Sequence, residues 1–390
     1  MRKPPAISPP AVAIAGCGAI SAAGCGVGAL RSALRANGSG LRPCARFDSP
    51  RFQSAVVGAA PGMDAGSDDP AWQLADRALR EAREEAREIL GAIPAGRIGL
   101  ALATTKANIE ALERLAEHRP CSEPARRHLQ GDQLACDLAA AHGVRGPVQC
   151  VSVACVSGLL AIAQGAKAIQ RGAADAVLVV GVDHLSAFVV AGFSALKAVD
   201  PNGCRPYDRD RRGLTPGEAG AALVLVRADR MPRPGITIGG WGGSNDANHL
   251  TGPSRDGSGL ARAMRLALAA ARLPPGEIDY VNAHGTGTPY NDAMESAALR
   301  AVFGEGCPPF SGAKGMLGHT LGAAGVVETI LCVLAMRERL LPGTPRLNVP
   351  DESVPASCLQ QPRTVPRLRH ILKLNTGFGG INGALILTHG

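Results

Sequence analysis

Short apolar runs and amphipathic stretches alternate along most of this chain, and the two periods predict strands alternating with helices. Residues 11–15 read as a first strand that runs into a glycine turn, GCGAISAAG, with a helix at 30–34. Residues 69–90 predict a long helix: Leu74, Ala78, Leu79, Ala82 and Ile89 share one side, with arginines and glutamates between them. Residues 98–103 form a buried strand, and 107–117 and 133–141 two helices. Residues 148–153 are strand-forming. From Leu159 to Arg171 small and apolar residues recur at helical spacing, and Gly172 is the stop. Residues 176–180 and 223–226 are further strands, and a proline-bearing, charged segment at 229–235 is the junction between halves. The second half, 233–390 against 1–232, restarts with a strand at 236–239 and a helix at 259–271. A strand at 278–282, an apolar helix ending at Met336 and strands at 371–374 and 384–387 follow. This alternation predicts an α/β protein with mostly parallel sheets. A faint internal echo accompanies it: strand, small-residue turn and apolar helix occur once around Cys155 and once around His319.

Composition narrows the class. A 390-residue chain suits two packed domains, and 46% apolar with 19% charged residues is ordinary for a folded protein. Lys and Arg outnumber Asp and Glu, 41 to 33, for a net charge of +8. That excess favours an acidic protein or anionic surface as partner. With 3% aromatics and no nucleic-acid motif, nucleic acid is the weakest choice. The 11 cysteines form no C-x-x-C pair, which argues against a metal site and for a reducing, cytoplasmic setting. The basic, proline-broken residues 1–10 read as a ragged leader, with a secretory signal as the lesser reading. Every apolar stretch of membrane-spanning length is interrupted by glycine turns. Gly16 and Gly18 invite a dinucleotide fingerprint, but Ser21 stands at its third glycine, so that binding is set aside.

Candidate chemistry falls on three residues at or just after strand ends, where parallel α/β sheets bind ligands. Cys155 lies where a strand hands over to an apolar helix, whose free N–H groups and positive dipole end favour a thiolate. Buried cysteines are commonly inert, so the assignment rests on partners. His284 is followed by the tight loop Gly285, Thr286, Gly287 and Thr288. His319 is flanked by Gly318 and the small residues 322–325, with Lys314 five residues before it and Glu328 nine after.

The ordered motifs VACVSG, GAADAVLVVG, PYDRDRRG, GEAGAALVL, AHGTGTPYND, GAKGMLGH with GAAGVVE, and GFGGIN span residues 146–382. In this set the chain resembles an elongating β-ketoacyl-acyl carrier protein synthase (ketosynthase) of the thiolase superfamily. The resemblance implies a duplicated thiolase-like fold, layered αβαβα with two mixed, mostly parallel sheets. It implies that Cys155 accepts an acyl chain from a carrier protein. Malonyl-carrier protein is then decarboxylated against His284 and His319, and the two units join by Claisen condensation in fatty-acid or polyene-type polyketide elongation. Backbone N–H groups of Cys155 and Phe378 would form the oxyanion hole, with Gly377, Phe378 and Gly379 in a gate loop. Lys314 and Glu328 would orient His319, and Asp292 would support the His284 loop. Thr286, Thr288, Thr251 and His249 match positions along the tunnel for the phosphopantetheine arm. Arg205, and less closely Arg126 and Arg127, match carrier-protein docking positions. No bound cofactor or metal is expected, and the partner is a second copy or a related subunit. Two other readings stand beside this one: a catalytically silent chain-length subunit, and an acyltransferase without condensation. Val153, Gly315 and Thr376 depart from the usual Thr, Ser and Phe. The smaller Thr376 leaves room beside the thiol, which points to an unusual acyl chain.

Overall fold

The computed structural model describes residues 10–44, 52, 56–64, 66–233 and 235–390; most of the leader read at 1–10 lies outside them. Ten principal strands carry the fold: β1 (Val12–Ser21), β2 (Ile98–Ala103), β3 (Val148–Val151), β4 (Ala176–Asp183), β5 (Ala219–Arg227), β6 (Ile236–Asn245), β7 (Tyr280–Ala283), β8 (Phe310–Gly312), β9 (His370–Gly377) and β10 (Ile381–His389). Their order is β3-β2-β4-β5-β1 in the first half and β8-β7-β9-β10-β6 in the second. The halves therefore repeat one topology strand for strand, which is the physical content of the echo in the sequence.

The layered α/β fold with mixed pairing is as expected; two details differ, the continuity of the sheet and the share of parallel pairings. β1 pairs β6 through Val12 with Ile238 and Ala13 with Thr237, so one sheet runs through both halves. In each half the two outer pairings are parallel and the two inner ones antiparallel. At β9–β10 the cause is local, because a three-residue connection between Gly377 and Ile381 is too short for a parallel crossover.

The helices named here are α1 (Pro70–Glu85), α2 (Gly131–Ala141), α3 (Ser157–Gln170), α4 (Ala187–Ala195), α5 (Ser258–Ala271), α6 (Pro289–Phe303) and α7 (Ala324–Glu338). Three cores separate five layers. α1 and α2 cover one outer face, α5 and α6 the other, and α3 and α7 fill the centre. Alternation along the strands sorts the residues: Val177 and Val179 of β4 face the central core, Leu178 and Val180 the outer one. Every residue of α7 from Ala324 to Met336 is buried, and all but Glu328 and Thr329 are small or apolar. α3 and α7 cross so closely that a Cβ on Gly325 would lie 2.1 Å from Leu159 N. Gly16 and Gly18 do not make the expected turn. They lie inside β1 against α1, where Glu85 and Glu81 accept the N–H groups of Cys17 and Ala19.

Candidate active site

The nucleophile turn is built between β3 and α3. Ala154 adopts φ 46°, a left-handed conformation that costs a residue with a Cβ. Ser157 holds it: its hydroxyl accepts from Val153 N at 2.8 Å and donates to Ala154 O at 2.6 Å. Cys155 is thereby presented to a cavity beneath Phe193 and Phe378, packed against Val189 and Leu321. The helix start favours a thiolate at Cys155, and burial acts against it. Burial pushes the thiol up to about 11, although the Lys314 and Lys106 ammonium groups act in the opposite sense.

His284 follows β7. Its backbone N–H and that of Gly285 are received by Glu295 of α6, at 2.6 and 2.9 Å, and Glu295 also accepts the Tyr207 hydroxyl at 2.6 Å. Asp292, one turn earlier, accepts Thr286 N, Gly287 N and Tyr207 N. The loop is thus shaped by two buried carboxylates, both raised above their ordinary values by burial. The His284 ring has Lys314 Nζ at 3.1 Å and Asn375 Nδ2 at 3.2 Å from Nδ1. Both neighbours are donors, so Nδ1 is the acceptor and the proton is on Nε2.

His319 is held at its backbone by the first half, through Thr215 O at 2.7 Å and Gly217 N at 3.0 Å. Its Nδ1 accepts from Leu321 N at 3.3 Å, which assigns it the same tautomer. The two rings lie 5.3 Å apart, nearly perpendicular at 81°. Burial first, and Lys314 next, hold both imidazoles well below the ordinary histidine range. Both are neutral near neutral pH, with an Nε2–H donor each.

Behind them lies a charge cluster the sequence reading only partly anticipated. Glu328 Oε1 meets Lys314 Nζ at 2.8 Å, and Oε2 meets Lys373 Nζ at 2.7 Å and Asn375 Nδ2 at 3.2 Å. Burial opposes ionisation of Glu328, but the two lysines outweigh it and hold the carboxyl below its usual value. Lys373, wholly buried in β9, is itself lowered by burial. Lys373, Asn375, Glu295 and Ser157 were missed. For Lys373 a signal existed, a lone charge inside the apolar run ILKLN.

A cavity of about 520 Å³ joins these parts; Cys155, His284 and His319 line it, with Thr286, Thr288, Thr251, His249, Thr376, Gly377 and Phe378. Lys314, Glu328 and Asp292 stand behind its wall. Thr376 donates to Asn291 Oδ1 at 2.7 Å. Gly377 lies against the nucleophile turn: a Cβ there would be 3.2 Å from both Ala154 Cβ and Cys155 N. Gly379 N donates to Leu250 O at 2.7 Å. His249 is exposed and uses Nδ1 to accept from Thr251 N and Gly252 N. Arg205 is half-buried, with Nε enclosed and without a hydrogen-bond partner among the described residues. Arg126 and Arg127 are exposed on helix Glu123–Arg127, away from the cavity lining, and Arg127 pairs with Asp137 at 3.1 Å. The exposed cations on the cavity rim are Lys197 and Arg212. Among the described residues there is no cluster of metal ligands, and no helix is long and apolar enough to cross a membrane.

Two family models match: the beta-ketoacyl synthase N-terminal domain over residues 10–230 and its C-terminal domain over residues 236–348. The tetracenomycin polyketide synthase ketoacyl synthase alpha subunit of Streptomyces glaucescens is 32% identical, covering 96% of each chain. The 3-oxoacyl-[acyl-carrier-protein] synthase 2 of Vibrio cholerae is also 32% identical, over 96% of this chain and 98% of its own. Among solved structures, the ishigamide ketosynthase/chain length factor is 31% identical, with a TM-score of 0.91 over 98% of this chain and all of its own. The Xenorhabdus doucetiae ketosynthase in complex with its chain length factor gives 28% and 0.85, with all of both chains covered. A duplicated α/β chain with this coverage falls in the class of condensing acyltransferases. The chain belongs to the beta-ketoacyl synthase family, and it is an enzyme of acyl transfer with decarboxylating condensation.

Proposed function

We propose that Cys155, His284 and His319 carry out this condensation on carrier-bound substrates. The Cys155 sulfur attacks an acyl thioester, and the thiol proton leaves with the phosphopantetheine sulfur of the carrier. A malonyl-carrier then enters and loses its carboxylate as CO2. The electron pair left behind becomes an enolate, whose oxygen is met by Nε2–H of His284 and His319. The α-carbon attacks the Cys155 thioester, and the tetrahedral oxyanion is received by the N–H groups of Cys155 and Phe378. Collapse expels the Cys155 sulfur, which takes up a proton, and 3-oxoacyl-carrier departs. Lys314 and Glu328, expected to orient His319, pair with each other beside His284 Nδ1 and orient that ring instead; Asp292 shapes its loop, and Gly377, Phe378 and Gly379 gate the entrance. In this reading 1–232 brings the sulfur, and 233–390 the two imidazoles and the gate.

The observation that carries the proposal is the pair of imidazoles, 5.3 Å apart, with nitrogen donors facing each Nδ1, in a cavity shared with the sulfur. A silent chain-length subunit has no need of that pair, nor has an acyltransferase that stops at the acyl-enzyme. Lys197 and Arg212 on the rim suit the phosphate of a carrier arm, with Arg205, Arg126 and Arg127 as further docking candidates. The carrier protein is the acidic partner. A homodimer or a heterodimer with a related subunit is the assembly, and β3, one of the sheet's two terminal strands and half-exposed, is an edge that suits it. Eleven free cysteines suit the cytoplasm.

The test is malonyl-carrier decarboxylation with and without an acyl-carrier partner. The proposal expects CO2 release matched by 3-oxoacyl-carrier. Acylation of Cys155 without decarboxylation would leave only the acyltransferase, and inertness in both steps the silent subunit.

A further inference from the structure

Asp183 ends β4, and nothing in the reaction above uses it. Its carboxylate is fully buried and takes bonds from both halves of the molecule. Oδ1 accepts from Thr104 Oγ1 at 3.0 Å, from Thr105 N at 3.1 Å and from Lys106 Nζ at 3.3 Å. Oδ2 accepts from Thr105 Oγ1 at 2.8 Å and, across the seam, from Gly322 N at 2.7 Å. With Thr105 N shared between both oxygens, at 3.0 Å from Oδ2, the five bonds from residues 104–106 satisfy and neutralise the carboxylate on its own side. The sixth reaches the turn that follows His319.

That turn is strained. Leu321 adopts φ 52°, a left-handed conformation unfavourable for a branched side chain, and such a conformation persists only where surroundings enforce it. In this conformation Leu321 N points at His319 Nδ1. The contrast with His284 is informative. His284 Nδ1 faces an ammonium and an amide, whereas His319 Nδ1 accepts at 3.3 Å from a backbone N–H whose direction depends on the turn.

We infer that Asp183 is a positioning residue for the condensation: its carboxylate pins the Gly322 N–H so that Leu321 N–H caps His319 Nδ1 and the ring proton stays on Nε2, facing the cavity. The inference rests on the role proposed for His319 above. It assigns to the first half, which supplies the nucleophile, control over an imidazole supplied by the second.

The experiment uses the full chain as wild type, Asp183→Ala and Asp183→Asn, with ¹⁵N-labelled histidine. Two-bond ¹H–¹⁵N correlations read each ring's tautomer, and His319→Ala identifies the His319 signal. Wild type is expected to show His319 protonated on Nε2. Asp183→Ala is expected to populate the Nδ1–H form. Asp183→Asn keeps a carbonyl oxygen for Gly322 N–H and is expected to restore the Nε2–H form. In parallel, Asp183→Ala is expected to lower kcat for malonyl-carrier decarboxylation about tenfold or more. KM and the acylation of Cys155 should each change less than about threefold. An unchanged His319 tautomer in Asp183→Ala, or equal losses in decarboxylation and acylation, would overturn the inference. A wild type inert in both reactions would instead defeat the functional proposal, and the tautomer comparison would still decide the part played by Asp183.

Discussion

Replacing Lys373 by Met tests the buried charge cluster from its least anticipated member. Lys373 Nζ lies 2.7 Å from Glu328 Oε2, and both side chains are almost wholly out of water. Removing one partner of a buried pair costs about 3–5 kcal/mol, because the remaining charge is left uncompensated. Here Glu328 keeps Lys314 at 2.8 Å and Asn375 at 3.2 Å, and methionine fills much of the vacated space. The expected loss therefore falls at or below the lower end, about 2–3 kcal/mol. The sign of the pH effect follows from the directions of the shifts. Glu328 is depressed in the folded protein, so its contribution is present above its unfolded value and lost as pH falls through the folded one. Without Lys373 the folded value rises toward the unfolded one, so the loss on acidification is smaller and is complete at a higher pH. Burial is the main cause of the low His284 and His319 values, Lys314 the next, and Lys373 the smallest. Removing Lys373 thus raises both imidazoles modestly and moves the acid limb of decarboxylation upward, by less than removing Lys314 would. Urea unfolding, and malonyl-carrier decarboxylation from about pH 5 to about pH 8, measure the two effects. An unchanged unfolding free energy together with an unmoved acid limb would refute the account of the cluster.

Three further outcomes follow from the geometry. His128 is buried between Asp69 at 2.6 Å and Asp137 at 3.0 Å; burial opposes its charge, but the two carboxylates outweigh it and raise its pKa above 6.5. Its stabilisation is complete below that unfolded value and fades as pH rises through the folded one, so His128→Gln should abolish a fall in melting temperature on the alkaline side; an identical profile in the variant contradicts this. Gly377→Ala places a Cβ 3.2 Å from Ala154 Cβ and Cys155 N. It should push the gate off the nucleophile turn and slow condensation about tenfold, measured in single turnovers, and an unaffected rate would mean the contact yields freely. Thr376→Phe fills the cavity beside Asn291 and should shorten the longest acyl chain found on Cys155 when a mixture of chain lengths is offered; the same distribution would show that Thr376 does not set length.

The three candidate residues that line one cavity were legible because each stands at or just after a strand's end inside a short motif of small residues, a pattern local in the chain. The groups that tune them were not. Glu328 and Lys373 are 45 positions apart, and Asp183 and Gly322 are 139. The first pair exists only once α7 packs on β9, and the second only once the two halves close on each other. Elements with one dominant period were read closely. Helix 69–90 became Pro70–Glu85 followed by the short helix Arg87–Gly91, and strand 98–103 was matched end to end. Strands buried on both faces lose their alternation, so 223–226 proved to be only the middle of Ala219–Arg227. Strand direction was also invisible: whether β4 and β5 run together depends on the route of residues 184–218, and no periodicity records it. How far burial of the Cys155 sulfur offsets the charges that favour its thiolate was invisible for a related reason, since it depends on packing from distant segments.

The central claim is that one sulfur and two neutral imidazoles act as a single site. Enzyme acylated in advance on Cys155 can be mixed with malonyl-carrier, and the adduct followed by intact mass. The account predicts that wild type discharges its acyl group as 3-oxoacyl-carrier, whereas His284→Ala and His319→Ala hold theirs for at least about a hundredfold longer. Discharge at the wild-type rate in either histidine variant would contradict it.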